Sequence, residues 1–260
     1  MKLGVDFSQH GGPLALSTVE CWKSTGVKYA IVQYSSRMPQ HLATLNQAGG
    51  IEIEAYVYLY WGLDPWGQSP QVRTSNAIAM MRGLPVRRLW LDCEDSTHPY
   101  REDQLRDCAS ICEQAGLPTG IYTGRWWWAP QTNNSHSFAY LPLWHAQYLG
   151  QAPAPDLSKL PRDFNSFVPY GGWTTPTIWQ WWNTTSLCGH SVDLNAMEDD
   201  MPGQEELIGR VVEALVNKYH VELVGTNPIG EWVVEVKNGD GTPADPQIFM
   251  AVLAPGQARG

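Results

Sequence analysis

The feature that most constrains this chain is an alternation of short apolar runs with longer amphipathic ones over its first 200 residues. Runs at 3–6, 29–34, 53–60, 89–94, 120–123, 143–147, 177–182 and 192–195 read as strands. Stretches 18–25, 40–48, 72–82 and 102–115 fill the first gaps as helices, and the last meets a stop at Gly116 and Pro118. Strand, helix, strand, repeated with right-handed crossovers, builds a parallel sheet, and eight strands suggest closure. Beyond Thr123 the helical pattern weakens, and 125–140 and 150–176 read as long loops. The expected fold class is therefore α/β, an irregular (β/α)8-like barrel of the TIM type. A doubly wound open sheet is the main alternative, but no Gly-rich phosphate loop supports a nucleotide site.

Composition shifts at "AMEDDMPG", residues 196–203. Residues 1–200 are assigned to the barrel and 201–260 to a small C-terminal α+β appendage. The appendage reads as an amphipathic helix over 204–219, then two strands joined by a turn-rich loop within "EWVVEVKNGDGTPADPQIFMAVLAPG". A tail of this size builds little core of its own. Its expected role is docking or packing, against the barrel, a second copy or a partner.

The stretch "LWLDCED" places Asp92 and Glu94 at the end of an apolar run. In a strand they would share a face with Cα atoms roughly 7 Å apart. Two like charges that close raise the proton affinity of at least one, a way to make a general acid for neutral pH. The competing reading is a strand running into an acidic loop with its acids solvated, and Cys93 between the pair is expected to face the helix layer. In a parallel barrel functional groups gather at the C-terminal strand ends. Acids at such ends are Asp6, Asp92, Glu94 and Asp193, and the first and last strands are neighbours once the barrel closes. Aromatic and amide residues end the others: Tyr56, Tyr58 and Tyr60 with Trp61, then Tyr122, Trp144 with Gln147, and Gln180 with Trp182. An acidic floor walled by rings suits a sugar polymer, because pyranose faces stack on rings and an oxocarbenium-like transition state favours nearby negative charge.

Seven segments, "GVDFSQ", "YAIVQYS", "EAYVYLY", "LWLDCED", "GIYTG", "LWHAQY" and "IWQWW…SVDLNAM", occur in an order and spacing that resemble the glycoside hydrolase family 25 lysozymes, over about residues 1–200. The resemblance is to muramidases of phage and bacterial type, and it implies an irregular (β/α)-barrel that hydrolyses the β-1,4 bond between N-acetylmuramic acid and N-acetylglucosamine. The family's D-x-E pair falls on Asp92 and Glu94. By resemblance Glu94 is the general acid, and Asp92 assists at the anomeric centre or the 2-acetamido group. Asp6 and Asp193 position these acids or the sugar. The substrate-binding candidates are Tyr58, Tyr60, Trp61, Tyr122, Trp144, Gln147, Gln180 and Asn195. The chain departs from the family's text at Gln33, in "AYVYLYW", and in the loop "GRWWWAPQTNNSHS".

The remaining features bound partners and setting. Hydrophobic content of 43% with 17% charged residues marks a packed globular chain. A net charge of −9 and a sequence pI of about 5.2 argue against nucleic acid and anionic membrane as partners. No Cys/His spacing resembles a zinc site, so no metal and no cofactor are expected. The 13 Trp suit stacking platforms, an interface or a Trp-rich core. Five Cys leave at least one thiol unpaired; they are read as reduced thiols of a protein made in a reducing compartment. The opening "MKLGVDFSQH" has no hydrophobic targeting core, so synthesis in the cytoplasm without a signal peptide is expected. The expected partner is bacterial peptidoglycan, met at the cell wall after release. A phage particle or self-association through 201–260 is the corresponding expectation for the tail. The alternative to an enzyme is a non-catalytic glycan-binding or virion-associated structural protein on the same barrel.

Overall fold

A computed structural model describes residues 1–151, 155–198, 219–226 and 232–238. It divides into two compact units, Met1–Asp199 and Asp200–Gly260. In the first, eight strands close a barrel in chain order: β1 (Lys2–Phe7), β2 (Val27–Gln33), β3 (Glu52–Tyr58), β4 (Val86–Asp92), β5 (Thr119–Thr123), β6 (Leu143–Gln151), β7 (Ile178–Leu187) and β8 (His190–Met197). Helices α1 (Leu16–Ser24), α2 (Met38–Ala48), α3 (Pro70–Met81) and α4 (Glu102–Gln114) occupy the first four connections. Helix α3 shows the local logic: Ser69 caps Val72 N–H, and Pro70 sits in the first turn, where a missing N–H costs nothing.

Three expectations are corrected. The barrel is not wholly parallel, since β8 runs antiparallel to both β7 and β1. The cause is the two-residue connection Cys188-Gly189, with φ of 55° and 78°, the left-handed geometry of a tight hairpin turn that sends the chain straight back. Next, "RWWWAPQ" is a helix, α5 (Arg125–Gln131), where a loop is expected. Burial of Trp127 and Trp128 holds it, and Pro130 lies in its last turn, where it removes only one helical bond. Finally, not all the cysteines are reduced: Cys21 of α1 and Cys188 of the turn form a disulfide with Cα atoms 6.0 Å apart. A separation of 167 residues hides the pairing in sequence, but closure brings β8 beside β1 and so beside α1. Cys93, Cys108 and Cys112 are free and buried.

The strands separate two apolar regions. Inside the barrel lie Tyr29, Ile31, Tyr56, Trp90, Tyr122, Trp144, Ala146 and Ile178. Between strands and helices lies a larger cluster that includes Val5, Val32, Leu42, Leu91, Leu105 and Cys93, so Cys93 faces the helix layer. A Cβ at Gly4 would overlap the Tyr29 ring, so glycine in β1 is what lets that ring cross the barrel. The Trp excess is chiefly core: Trp22, Trp90, Trp127, Trp128, Trp144, Trp179 and Trp181 are fully buried, whereas Trp66 and Trp126 are exposed.

In the second unit, β9 (Tyr219–Thr226) pairs antiparallel with β10 (Trp232–Asn238). The helix expected over 204–219 lies outside the described residues except at Tyr219, which begins a strand. The run "WVVEV" is a strand as expected, and its described partner, β9, precedes it; the later expected strand lies outside the described residues. Among the described residues, no helix is long and apolar enough to cross a membrane.

Candidate active site

The reversal of β8 decides where Asp193 stands. It was expected at the C-terminal end of a parallel strand, yet it lies in the first half of β8. Running backwards, that half of β8 reaches the rim formed by the C-terminal ends of the other strands, and Asp193 pairs in register with Asp6 near the end of β1. In β4 the row Tyr58, Asp92 and Tyr122 runs across three neighbouring strands at the same rim. Glu94 lies just beyond β4, where the ladder still continues through Cys93 N–H to the Tyr122 carbonyl (3.1 Å). There the Glu94 N–H donates to Asp92 Oδ1 (3.2 Å).

Buried amides wire the acids together. Gln180 Nε2 donates to Asp6 Oδ2 (2.8 Å) and to Asp193 Oδ2 (3.0 Å), and Asn195 Nδ2 donates to Asp6 Oδ2 (2.7 Å). Two further donors set these amides: Tyr122 O–H to Gln180 Oε1 (2.7 Å) and Trp144 Nε1–H to Asn195 Oδ1 (2.7 Å). Main-chain donors complete the shell, with Thr184 N–H on Asp193 Oδ1 (2.6 Å) and Gly124 N–H on Glu94 Oε1 (3.0 Å). A Cβ at Gly124 would overlap the Trp126 indole, so only glycine fits between that ring and the acid.

Burial dominates the electrostatics. It pushes the Glu94 carboxyl up to about 7, against the opposing Gly124 N–H. Asp92 is raised well above the usual carboxylate range by burial and then by Glu94. Asp6 is raised likewise, by burial and then by Asp193. Asp193 is raised by burial to about 6, with Thr184 N–H pulling the other way. The neighbouring Asp95 differs: burial pushes it up, but donors from Thr97, His98 and Trp61 outweigh that and hold it below the usual range. The solvated-loop reading of "DCED" therefore fails, because Asp92 and Asp95 are buried. One carboxyl poised near neutrality among other carboxyls raised by burial can donate a proton to a leaving oxygen. Among the described residues, no group of three or more His, Cys, Asp or Glu side chains is arranged to hold a metal.

The binding candidates divide. Tyr58 and Tyr60 stand at the rim with ring centroids 4.8 Å apart, and the Arg73 guanidinium lies 5.2 Å from the Tyr60 ring. That guanidinium is fixed by its buried ion pair with Asp64. Tyr122, Trp144, Gln180 and Asn195 are buried beneath the acids and hydrogen-bond to them or to their amide partners. Two residues are not brought to the rim. Trp61 is buried in the outer layer, packed on Tyr100 and Trp127. Gln147 turns outward, its Oε1 3.1 Å from His145 Nε2, because alternation along β6 sends Trp144 and Ala146 inward. Tyr148 is the residue missed: it hydrogen-bonds Tyr122 and senses the charges of Glu94, Asp193 and Asp6. Extending the alternation from Trp144 would have found it. The main-chain donors of Gly124 and Thr184 leave no such signal.

Comparison with known proteins agrees with this fold. The family model described as Lysozyme-like protein 1 matches residues 1–181. The chain is 27% identical over 205 residues to Lysozyme-like protein 5 of Caenorhabditis elegans, covering 74% of this chain and 89% of that one. It is 26% identical over 207 residues to Probable GH family 25 lysozyme 2 of Dictyostelium discoideum, covering 74% and 89%. Counting factor 50 of the same organism is 24% identical over 183 residues, and there the match covers 68% of this chain but only 56% of the relative. Among solved structures the CTP1L endolysin superposes with a TM-score of 0.60 at 14% identity, covering 84% of this chain and 79% of that one. At that identity the likeness shows the fold.

Proposed function

The chain belongs to the lysozyme-like family whose model matches residues 1–181, of the glycoside hydrolase family 25 type, and we propose from this premise that it is a peptidoglycan hydrolase cleaving the β-1,4 bond between N-acetylmuramic acid and N-acetylglucosamine. The observation that carries the reading is Glu94, a carboxyl raised to about 7 on a rim shared with three other acids. Gly124 N–H occupies Oε1, which leaves Oε2 to carry the proton toward the glycosidic oxygen. Positioned proton transfer of this kind contributes about 10²–10⁴-fold to rate. Asp92, deprived of its proton, assists the positive charge that develops at the anomeric carbon or orients the 2-acetamido oxygen. Asp6 and Asp193 position Asp92 and the sugar through Gln180 and Asn195. Tyr58 and Tyr60 are the rings offered to a pyranose face.

The substrate is bacterial peptidoglycan, reached after release from the cell that makes the protein, and the unit from Asp200 onward serves docking, on a phage particle or on a second copy. The Cys21–Cys188 bond favours action in an oxidising setting. The test is turbidity clearing of purified peptidoglycan by wild type and Glu94→Gln, with the new reducing ends identified. The reading predicts clearing by wild type alone and reducing-end N-acetylmuramic acid. Sedimentation of both proteins with the wall, without clearing by either, would make the chain a glycan-binding module.

A further inference from the structure

Thr184 is a β-branched residue at φ 39°, a conformation that costs free energy and is kept only where the surroundings impose it. It lies where the β7–β8 register shifts, between Trp182 and Thr185, opposite the strand that carries Asp193. The strained residue turns its N–H onto Asp193 Oδ1 at 2.6 Å. We propose that Thr184 is a positioning residue whose main-chain N–H fixes the single negative charge of the Asp6–Asp193 pair on Asp193, leaving Asp6 as a neutral acid with its hydrogen on Oδ1.

The wiring of the pair supports this. An indole N–H only donates, so Trp144 obliges Asn195 to present its carbonyl oxygen to the ring and its amide hydrogens to Asp6. Gln180 spends one N–H on Asp6 Oδ2 and the other on Asp193 Oδ2, and its oxygen accepts from Tyr122. Both amides therefore meet Asp6 at Oδ2, and a proton on Asp6 belongs on Oδ1. Asp193 instead receives one N–H on each oxygen, from Thr184 and Gln180. Without Thr184 its Oδ1 would be as open to a proton as that of Asp6.

Among the described residues, the groups that sense the Asp6 charge are acidic or phenolic: Tyr29 from β2, Tyr56 from β3, Asp92 from β4, Tyr122 from β5, Tyr148 from β6 and Asp193 from β8. No cation among these groups offsets a second charge, so the pair holds one. A neutral Asp6 relieves Asp92 of a like charge. Asp92 can then ionise while Glu94 keeps its proton, the combination that the proposed hydrolysis needs. The kinetic consequence rests on that hydrolysis; the charge assignment does not.

The test is carboxyl 13C NMR titration of the intact chain, in wild type and with the 183–184 amide replaced by an ester, which removes the N–H, weakens the 183 carbonyl as an acceptor and leaves every side chain in place. In wild type Asp193 ionises first, at about 6, while Asp6 remains protonated. In the ester chain Asp193 titrates higher and no longer precedes Asp6, and the acid limb of kcat/KM moves up by about one pH unit, tenfold in rate along that limb. Thr184→Gly keeps the N–H and relieves the strain, so it keeps the wild-type order of ionisation. Asp6 ionising first in wild type would overturn the proposal even if the ester chain failed to fold. So would an ester chain that loses stability with its titration order intact. The expected order in a chain that cleaves no glycan would support the assignment and refute only the hydrolysis.

Discussion

At the residue scale, the four acids are distinguished by their donors as much as by their burial. Glu94 has a folded value of about 7 against an ordinary 4.5. The folded state thus binds this proton more tightly than the unfolded chain does. The group's contribution to stability is complete below the unfolded value and is lost as pH rises through about 7, opposite to a salt-bridged carboxylate. Glu94→Gln, which stays neutral, should be more stable than wild type near pH 8 by on the order of 1–3 kcal/mol. Denaturant unfolding near pH 8 and near pH 4 checks this, because the gain must vanish at the lower pH. The same variant should lose at least about a hundredfold in hydrolysis. All four acids were legible, because a carboxylate closing an apolar run is conspicuous. Glu94 follows Asp92 by two residues with Cys93 between them in the helix-side core, and its N–H on Asp92 Oδ1 is a contact that alternation alone does not show. Gln147 falls on the outer face of β6, because Trp144, an odd three residues earlier, fixes the face that points inward.

At the element scale, the β7–β8 hairpin is the piece most particular to this site. It carries Gln180, Thr184, Asp193 and Asn195, and its tip is tied to α1 by Cys21–Cys188. The disulfide closes a loop of 167 residues in separation, and loss of such a crosslink costs about 2–5 kcal/mol. Cys21→Ser should therefore lower the melting temperature, and thiol reductant should lower that of wild type but not that of the variant; equal sensitivity of both would discount the crosslink. The eight strands were legible as apolar runs, but strand direction was not, because alternation reads the same both ways. A Cys-Gly turn lacks the Asn-Gly or Asp-Gly signature of a hairpin, so β8 was taken as parallel. Helix α5 was taken as a loop because Pro130 and the run of tryptophans obscured its period.

At the scale of the whole molecule, the barrel unit ends at Asp199 and holds all four acids. A chain ending there should fold and cleave soluble peptidoglycan fragments within about tenfold of the full chain while clearing whole walls less well, the loss of docking being a loss of effective concentration. A truncation that does not fold would assign residues 200–260 to the barrel's stability instead. Barrel closure and the composition shift near residue 200 were legible, since both depend on patterns spread along the chain. The pairing in the tail was not, because β9 overlaps the expected helix only at Tyr219 and its remaining residues carry no strand signal that the sequence reading uses. The measurement that tests the central claim most directly is the pH dependence of kcat/KM on a soluble peptidoglycan fragment, which reports the acid of the free enzyme. The account predicts an alkaline limb centred at about 7, the value held by Glu94. Activity that stays level or rises through neutral pH into the alkaline range would contradict it.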